Sequence, residues 1–398
     1  MHVLPLEILH QIFSLICDDG GYTGCSLSRT SKVIRAASWA ARFHTVSLIA
    51  YPSRLESFTA LYERACDPRL GTTPKVTHLH LTIPSNAALI ARGGVARVLV
   101  SVFPRMERSR TPSPLSSDAE SGSDGESSVH QHADDAHKPQ RISYTPSYTA
   151  AARALVCLVA PHLETLVLQY GFAAAERDAK PLPFIDRPFP RLRELTVLGL
   201  HRLREVLVHG EDLEGVPVLF PAVTRLHLVR KDLWLWPYDD LALLETHAPN
   251  VTHLRCTCFS SLGGRMMASL ALGLVSSLSV MLGASLAASL GIARDPADDL
   301  APGDELERPG YANLRHIILQ PDIPPAPSHQ SVIQESIEHL EGACRLRGVD
   351  LTLLEPGPET FDEWSRRVWD EWKERLDGGE GCWKEMAVAP GPGEDMND

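Results

Sequence analysis

Residues Pro221-Ala-Val-Thr-Arg-Leu-His-Leu228 carry a pattern that recurs along the chain. The pattern is a proline, then leucine or valine two residues later, then a leucine and a second apolar residue at alternate positions. It returns at 74–81, 161–168, 190–197, 249–256 and, without the proline, 312–319. Because four copies follow one another at intervals of 28 to 31 residues, they predict a repeated unit of one strand and one helix.

Local backbone chemistry explains this pattern. Proline ends a preceding helix and favours an extended conformation before it, and alternating apolar residues then run as a strand with one face in a core. Parallel stacking of successive strands would bury residues such as Leu226 and Leu228 against helices, in a core that no single unit could form alone. The sequence therefore predicts an α/β fold over residues 148–356, with a first repeat region at 49–104.

The alternate strand positions point to the other face of the predicted sheet and are rich in histidine and arginine. The candidates for binding another protein are His78, His80, Arg225, His227, His253, Arg255 and His316. Arginine pairs well with carboxylates and phosphates, and histidine gains charge as the pH falls, so we expect an acidic or phosphorylated ligand segment. A solvated sheet face, or one covered by a terminal segment, is the alternative.

The N-terminal segment opens with Leu4-Pro5-Leu6-Glu7-Ile8-Leu9 and continues to Ile12-Phe13. Pro5 and Glu7 suit the first turn of a helix, because proline presets the backbone there and the helix dipole favours an acid. Apolar residues occupy more than half of this helix's circumference, which is more than a small unit needs for itself. Either a partner protein covers the excess, or a small helical cap buries it against the next domain.

This order of residues resembles an F-box. It continues with Cys25-Ser26-Leu27, with Ser31-Lys32-Val33-Ile34-Arg35 and with the exit Arg42-Phe43-His44-Thr45-Val46-Ser47-Leu48. The resemblance covers residues 1–48 and implies a three-helix unit that docks onto a Skp-type adaptor and, through it, a cullin. The adaptor contacts that it implies are Leu4, Pro5, Ile8, Ile12 and Phe13. The segment departs from the family in a glycine-rich insertion at 18–24 and in Arg29-Thr30 before Ser31.

The repeats resemble the irregular leucine-rich-repeat domains of fungal F-box proteins. Together the two resemblances imply a three-helix F-box followed by a leucine-rich-repeat-like solenoid of parallel strands and helices. The implied function is a substrate-recognition subunit of a Skp-cullin-F-box ubiquitin ligase, in which the repeats hold an unknown target protein for ubiquitin-dependent degradation. The alternative is a repeat scaffold for protein–protein interaction without ligase coupling, which the glycine-rich insertion favours if it spoils the docking surface.

Composition argues against several other classes of protein. The 398 residues carry a formal net charge of −12 without a basic block, which argues against nucleic-acid binding. The eight cysteines lack the spacing of a disulfide framework, and the first residues lack the basic region of a secretory signal. We therefore expect a cytoplasmic or nuclear protein.

Three segments do not follow the repeat. Residues 105–147, rich in serine, proline and acids, are predicted to form a disordered insertion. The uncharged run at 266–293 is long enough to span a bilayer, but glycines and serines interrupt it, so two short helices inside the solenoid are the preferred interpretation. Residues 357–378, with Thr360 and Glu363 spaced for a capping box, are predicted to cap the last repeat as a helix, and 379–398 to be a flexible tail.

Motifs for catalysis and metal binding are scarce. The sequence has no phosphate-binding glycine loop, nucleophile elbow or His-Glu-x-x-His motif. The pairs His78-x-His80, His130-x-His132 and Cys256-x-Cys258 lack further ligands at a fixed spacing. We therefore expect no enzyme activity, no cofactor and no metal.

Overall fold

The computed structural model describes most of the chain outside its central insertion. The described residues are 4–17, 19–66, 73–84, 146–170, 184–199, 217–229, 238–259, 268–269, 271–273, 310–321, 330–357 and 360–384. The predicted insertion at 105–147 lies outside this set except for its last two residues, which begin a helix. Most of the uncharged run at 266–293 and the tail from residue 385 also lie outside the described residues.

The described residues form eight α-helices and eight β-strands. The helices are α1 (Leu6–Ile16), α2 (Tyr22–Leu27), α3 (Lys32–Ala37), α4 (Pro52–Ala65), α5 (Pro146–Val159), α6 (Tyr238–His247), α7 (Gln330–Arg347) and α8 (Phe361–Leu376). The strands are β1 (Thr45–Ile49), β2 (His78–Ile83), β3 (Thr165–Tyr170), β4 (Glu194–Leu198), β5 (Arg225–Val229), β6 (His253–Phe259), β7 (His316–Pro321) and β8 (Asp350–Leu353). Within this described part, no helix combines the length and the apolar character that crossing a lipid bilayer requires.

All eight strands lie in one parallel sheet, in which their order is their order in the sequence. The register aligns the repeated pattern, so that Leu195 lies beside Leu226, and Leu226 beside Leu254. β1 and β8 are the outer strands, and the sheet is open. The predicted α/β class with parallel strands is confirmed.

An aliphatic core lies on one face of the sheet. The pattern leucines, such as Leu79, Leu166 and Leu226, are buried in one cluster with Leu55 of α4 and Leu155 of α5. Burying a leucine side chain contributes about 1.5–3 kcal/mol, so a ladder of such residues dominates the stability of the fold. The prediction that these strand positions face the helices is confirmed.

The N-terminal helices α1–α3 form a small unit that is joined to the edge of the sheet. Phe13 of α1 is buried inside the unit, and the Ser31 side chain caps α3 by accepting a hydrogen bond from the Ile34 amide at 3.1 Å. Gly20 of the insertion has a φ of +75°, a conformation that favours glycine. Its carbonyl accepts a hydrogen bond from the Ser47 amide of β1 at 3.1 Å, so the insertion is the joint between the unit and the sheet.

The exit of the N-terminal segment is the first strand of the sheet. Val46 of β1 lies beside Leu79 of β2 in the parallel register. The predicted boundary between residues 48 and 49 therefore falls inside a strand. The pattern does not mark β1. No proline precedes this strand at the spacing of the pattern, and only one of the strand's two alternate apolar positions is a leucine.

Replacing Leu226 with alanine should destabilise the protein by about 2–5 kcal/mol, because the fully buried side chain leaves a cavity between its neighbours in the ladder. Leu346→Ala is the matched control, since Leu346 is 90% exposed and its loss should change stability by less than about 0.5 kcal/mol. Urea unfolding measures both. Equal effects of the two substitutions would contradict the assignment of the core to this face.

Candidate functional site

The C-terminal helix α8 forms as its capping box predicts. The Thr360 hydroxyl accepts a hydrogen bond from the Glu363 amide at 3.3 Å, and the Glu363 carboxylate accepts one from the Thr360 amide at 3.3 Å. This reciprocal pair satisfies two amides that a helix otherwise leaves unpaired at its start. We call residues 360–384 the C-terminal cover, because α8 and the turn that follows it lie on the sheet.

The cover lies on the second face of the sheet, opposite the aliphatic core. Gln169, near the end of β3, donates a hydrogen bond to the Ser365 hydroxyl at 2.6 Å. Thr165, at the start of β3, accepts one from the Trp372 indole at 3.3 Å. α8 therefore runs antiparallel to the strands across the middle of the sheet, and its predicted place as a cap on the last repeat is wrong.

An apolar patch explains where α8 packs. Trp364, Val368 and Trp372 are spaced four residues apart, so they share one side of the helix. These side chains are buried in one cluster with Val167, Leu198 and Val229 of the second face. A parallel sheet normally has both of its faces covered, and α8 covers a patch that would otherwise face water.

Glu194 is the first of two charged centres beneath the cover. Its carboxylate accepts hydrogen bonds from the Trp383 indole at 3.0 Å and from the Arg375 guanidinium at 3.2 Å. The guanidinium of Arg225, on the neighbouring strand, lies 3.9 Å from the same carboxylate. Because Glu194 is buried, the cover supplies partners that water would otherwise supply.

Arg255 is the second charged centre, and it is only 2% exposed. Its guanidinium donates hydrogen bonds to the Gln320 side chain at 2.9 Å and to the Cys382 carbonyl, and it lies 3.7 Å from the Glu371 carboxylate. Glu371 also accepts a hydrogen bond from Arg367 at 2.8 Å. A buried ion costs several kcal/mol unless its charge and its donors are matched. The cover takes this guanidinium out of water and supplies Glu371 and the Cys382 carbonyl as partners in place of water.

The Gly381–Trp383 turn extends the cover towards β7. Cys382 and Trp383 form a buried cluster with Ile318, and the Arg225 guanidinium lies 5.8 Å from the Trp383 ring. The prediction of a flexible tail from residue 379 is therefore wrong for residues 379–384. Trp383 holds the turn in place because it offers both apolar surface and an indole donor.

The seven residues predicted to bind another protein lie on this second face. Four are at most 8% exposed: His80, His227, Arg255 and His316. Three are partly exposed: His78, Arg225 and His253. The structure thus brings them together on the predicted face but places them under or beside the cover, where an intact cover separates them from a partner.

Several histidines of this face are paired with threonines of neighbouring strands. The distances between ring nitrogen and hydroxyl are 3.0 Å for His78 and Thr165, for His227 and Thr257, and for His316 and Thr352. A hydroxyl can donate to or accept from a neutral imidazole, so these pairs satisfy the rings without charge.

Burial keeps the histidines beneath the cover neutral. It lowers the pKa of His78 to about 3 and the pKa of His80 to about 4. Burial, with Arg255 nearby, holds the pKa of His227 well below its usual range. At neutral pH these three rings are therefore uncharged while the cover lies on the sheet.

A further cluster of donor atoms has no sequence signal, because its members come from β5, α8 and the final turn. His227, Glu371 and Cys382 each place one donor atom within 4.8 Å of the other two, and zinc takes all three donor types. However, Glu371 is already paired with Arg255, and burial raises the pKa of the Cys382 thiol well above its usual range. A metal ion would add positive charge beside a buried guanidinium, so the cluster fits an ion pair better than a metal centre.

The second candidate surface lies on α1 and the residues just before it. Five large apolar side chains share one side of this segment and are 39–76% exposed. We call them the α1 stripe: Leu4, Ile8, Ile12, Leu15 and Ile16. Of the predicted adaptor contacts, Leu4, Pro5, Ile8 and Ile12 are exposed, whereas Phe13 is 4% exposed and packs inside the unit. Because Phe13 is buried, it is not accessible to a partner in this structure. The α1 stripe also contains Leu15 and Ile16, which are not among the predicted adaptor contacts.

Comparison with known proteins finds no relative: no family model, no curated protein and no solved structure matches this chain. The chemistry of the two surfaces is therefore the basis for inferring the function.

The free energy of unfolding should fall as the pH is lowered from about 6.5 to 4. His80 titrates near 6.5 when unfolded and near 4 when folded, so in this window the unfolded state binds more protons and gains stability. His80→Gln should reduce the loss by up to about 1.4 kcal/mol for each pH unit. His339→Gln, on the exposed side of α7, is the matched control. Urea unfolding at a series of pH values measures the slopes, and identical slopes for the original chain and His80→Gln would contradict the burial of this ring.

Proposed function

We propose that the chain is a non-catalytic substrate-recognition subunit of a Skp-cullin-F-box ubiquitin ligase. The α1 stripe carries the proposal, because it lies in the segment that resembles an F-box and presents large apolar side chains to solvent. Contiguous exposed apolar surface in a soluble domain marks an interaction site. The proposed partner at the stripe is a Skp-type adaptor, through which a cullin is reached.

The packing of α1 supports docking by a helix face. Phe13 anchors the helix inside the N-terminal unit, while Ile8 and Ile12 on its other side stay exposed. An amphipathic or apolar helix that lies in a partner's groove contributes residues at such spacings. α1 therefore has one side for the fold and one side for a partner.

The geometry of the insertion bears on the alternative, a repeat scaffold without ligase coupling. A side chain at Gly20 would place its Cβ 3.0 Å from the Ser47 Cβ and 3.1 Å from the Trp369 ring. The insertion thus makes close contacts with the sheet and the cover. These contacts favour a structural role for the insertion, in which it does not interfere with the docking surface. They therefore favour the ligase proposal over a repeat scaffold without ligase coupling.

In the proposed function, the sheet half holds the target protein and the ligase acts in the cytoplasm or the nucleus. No catalytic role is assigned to any residue of the chain. The second face of the sheet is the proposed target surface, because its arginines and polar side chains offer paired charges and hydrogen bonds to a protein segment.

The double substitution Ile8→Asp and Ile12→Asp should weaken binding of a purified Skp-type adaptor by at least about 100-fold. Hot-spot residues near the centre of an interface contribute about 2 kcal/mol or more each, and a buried carboxylate adds a desolvation cost. Titration calorimetry with the full chain measures the dissociation constant.

Leu346→Asp is the matched control, since Leu346 is a large apolar residue on α7 that is 90% exposed and lies far from the α1 stripe in the sequence. It should leave adaptor binding unchanged. Absence of adaptor binding by the unaltered chain, or equal binding by the α1 variant in its folded form, would refute the proposal.

A further inference from the structure

We infer that the second face of the sheet is a helix-binding site for the target, and that the C-terminal cover is its built-in occupant. The inference rests on the proposed function, because that function is what assigns a target protein to the chain. It commits to one kind of partner: a protein that offers an amphipathic helix with the chemistry of α8.

The two faces of the sheet differ in a way that suits different roles. The first face is buried by aliphatic side chains such as Leu226 and Leu254 in the main core. The second face carries Glu194, Arg225 and Arg255, which meet partners in the cover. Permanent contacts resemble an apolar core, whereas contacts within a chain that open and close are more polar. The second face has the character of an interface that opens.

Buried polar atoms in this interface are incompletely paired. The Trp364 indole nitrogen, the Glu371 Oε2 and the Arg255 Nε are buried and have no hydrogen-bond partner among the described residues. Each such atom loses its hydration without a full replacement, which weakens the docked state. The free energy of docking of the cover is therefore less favourable than the burial of its tryptophans alone would make it.

The cover can leave the sheet without disturbing the main core. α8 has its own capping box, and the pair between Arg367 and Glu371 at spacing i, i+4 stabilises it internally. Its apolar residues belong to a cluster separate from the aliphatic core. Undocking would expose a small apolar patch and the charged face, while the ladder of leucines stays buried.

The contacts of α8 define the helix that could replace it. Trp364, Val368 and Trp372 supply an aromatic, an aliphatic and a second aromatic anchor at spacings of four residues. Glu371 supplies an acid to Arg255, and Arg375 supplies a base to Glu194. A target helix with two aromatic anchors, an acid seven residues after the first anchor and a base four residues further on would satisfy the same groups.

Thiol labelling of the full chain tests whether the cover opens. Cys382 lies in the cover and Cys256 in the aliphatic core, and both are buried. If the cover undocks by itself, a thiol reagent followed by peptide mass spectrometry should modify Cys382 at least ten-fold faster than Cys256, with a weaker dependence on urea. Equal rates with equal urea dependence would overturn the inference, because the cover would then open only when the whole protein unfolds.

A synthetic peptide with the sequence of residues 360–384 tests the helix-binding site. The full chain carrying Trp364→Ala, whose own cover is weakened, should bind this peptide at least ten-fold more tightly than the unaltered chain. A peptide carrying both Trp364→Ala and Trp372→Ala is the matched control and should not bind. Failure of the unaltered peptide to bind either chain would overturn the inference.

Dimerisation of the Trp364→Ala chain without peptide binding would also overturn it, since the occupant would then be a second copy of this chain. Labelling of the unaltered chain keeps the test decisive if the variant does not fold. Neither experiment contains the adaptor, so a failure of adaptor docking and a failure of this inference are separate results.

Discussion

A parallel sheet presents side chains to both of its faces, and both faces must be covered. Here helices cover one face with aliphatic residues, and the second face depends on a single helix and a turn at the end of the described chain. Arg255 is the centre of that dependence, because its buried guanidinium meets Gln320 of the sheet together with Glu371 and Cys382 of the cover. A segment that covers the polar second face removes these charged groups from water, so it must supply matching charges and hydrogen bonds.

The cover also connects the two candidate surfaces. The Trp369 ring packs against the His80 ring with centroids 5.0 Å apart, and it approaches Gly20 so closely that a side chain there would contact it. Gly20 in turn is bonded to β1 through Ser47. The α1 stripe is therefore oriented by the sheet and by the cover together.

The strands could be predicted from sequence because their signal is local: a proline followed by alternating apolar residues sets both the position and the face of a residue such as Leu226. The position of α8 on the sheet could not be predicted from sequence. The spacing of Trp364 and Trp372 shows an apolar stripe, but the patch that receives it is assembled from three strands that are distant in sequence. Phe13 and Ile12 are neighbours with similar chemistry, and only the packing of the N-terminal helices decides which one is buried. For the same reason, alternation placed the histidines on the second face but could not decide between a face open to a partner and one covered by a terminal segment, as the structure has it.

A double-mutant cycle between Arg255 and Glu371 tests most directly the central claim that the cover is bound to the second face. Free energies of unfolding in urea are measured for the unaltered chain, Arg255→Met, Glu371→Gln and the double variant, by tryptophan fluorescence, since four of the seven tryptophans lie in the cover. The account predicts that Glu371→Gln destabilises the chain, that most of this loss disappears when Arg255 is absent, and that the coupling is about 1–3 kcal/mol. A coupling of zero within error would contradict it, because the two side chains would then not meet.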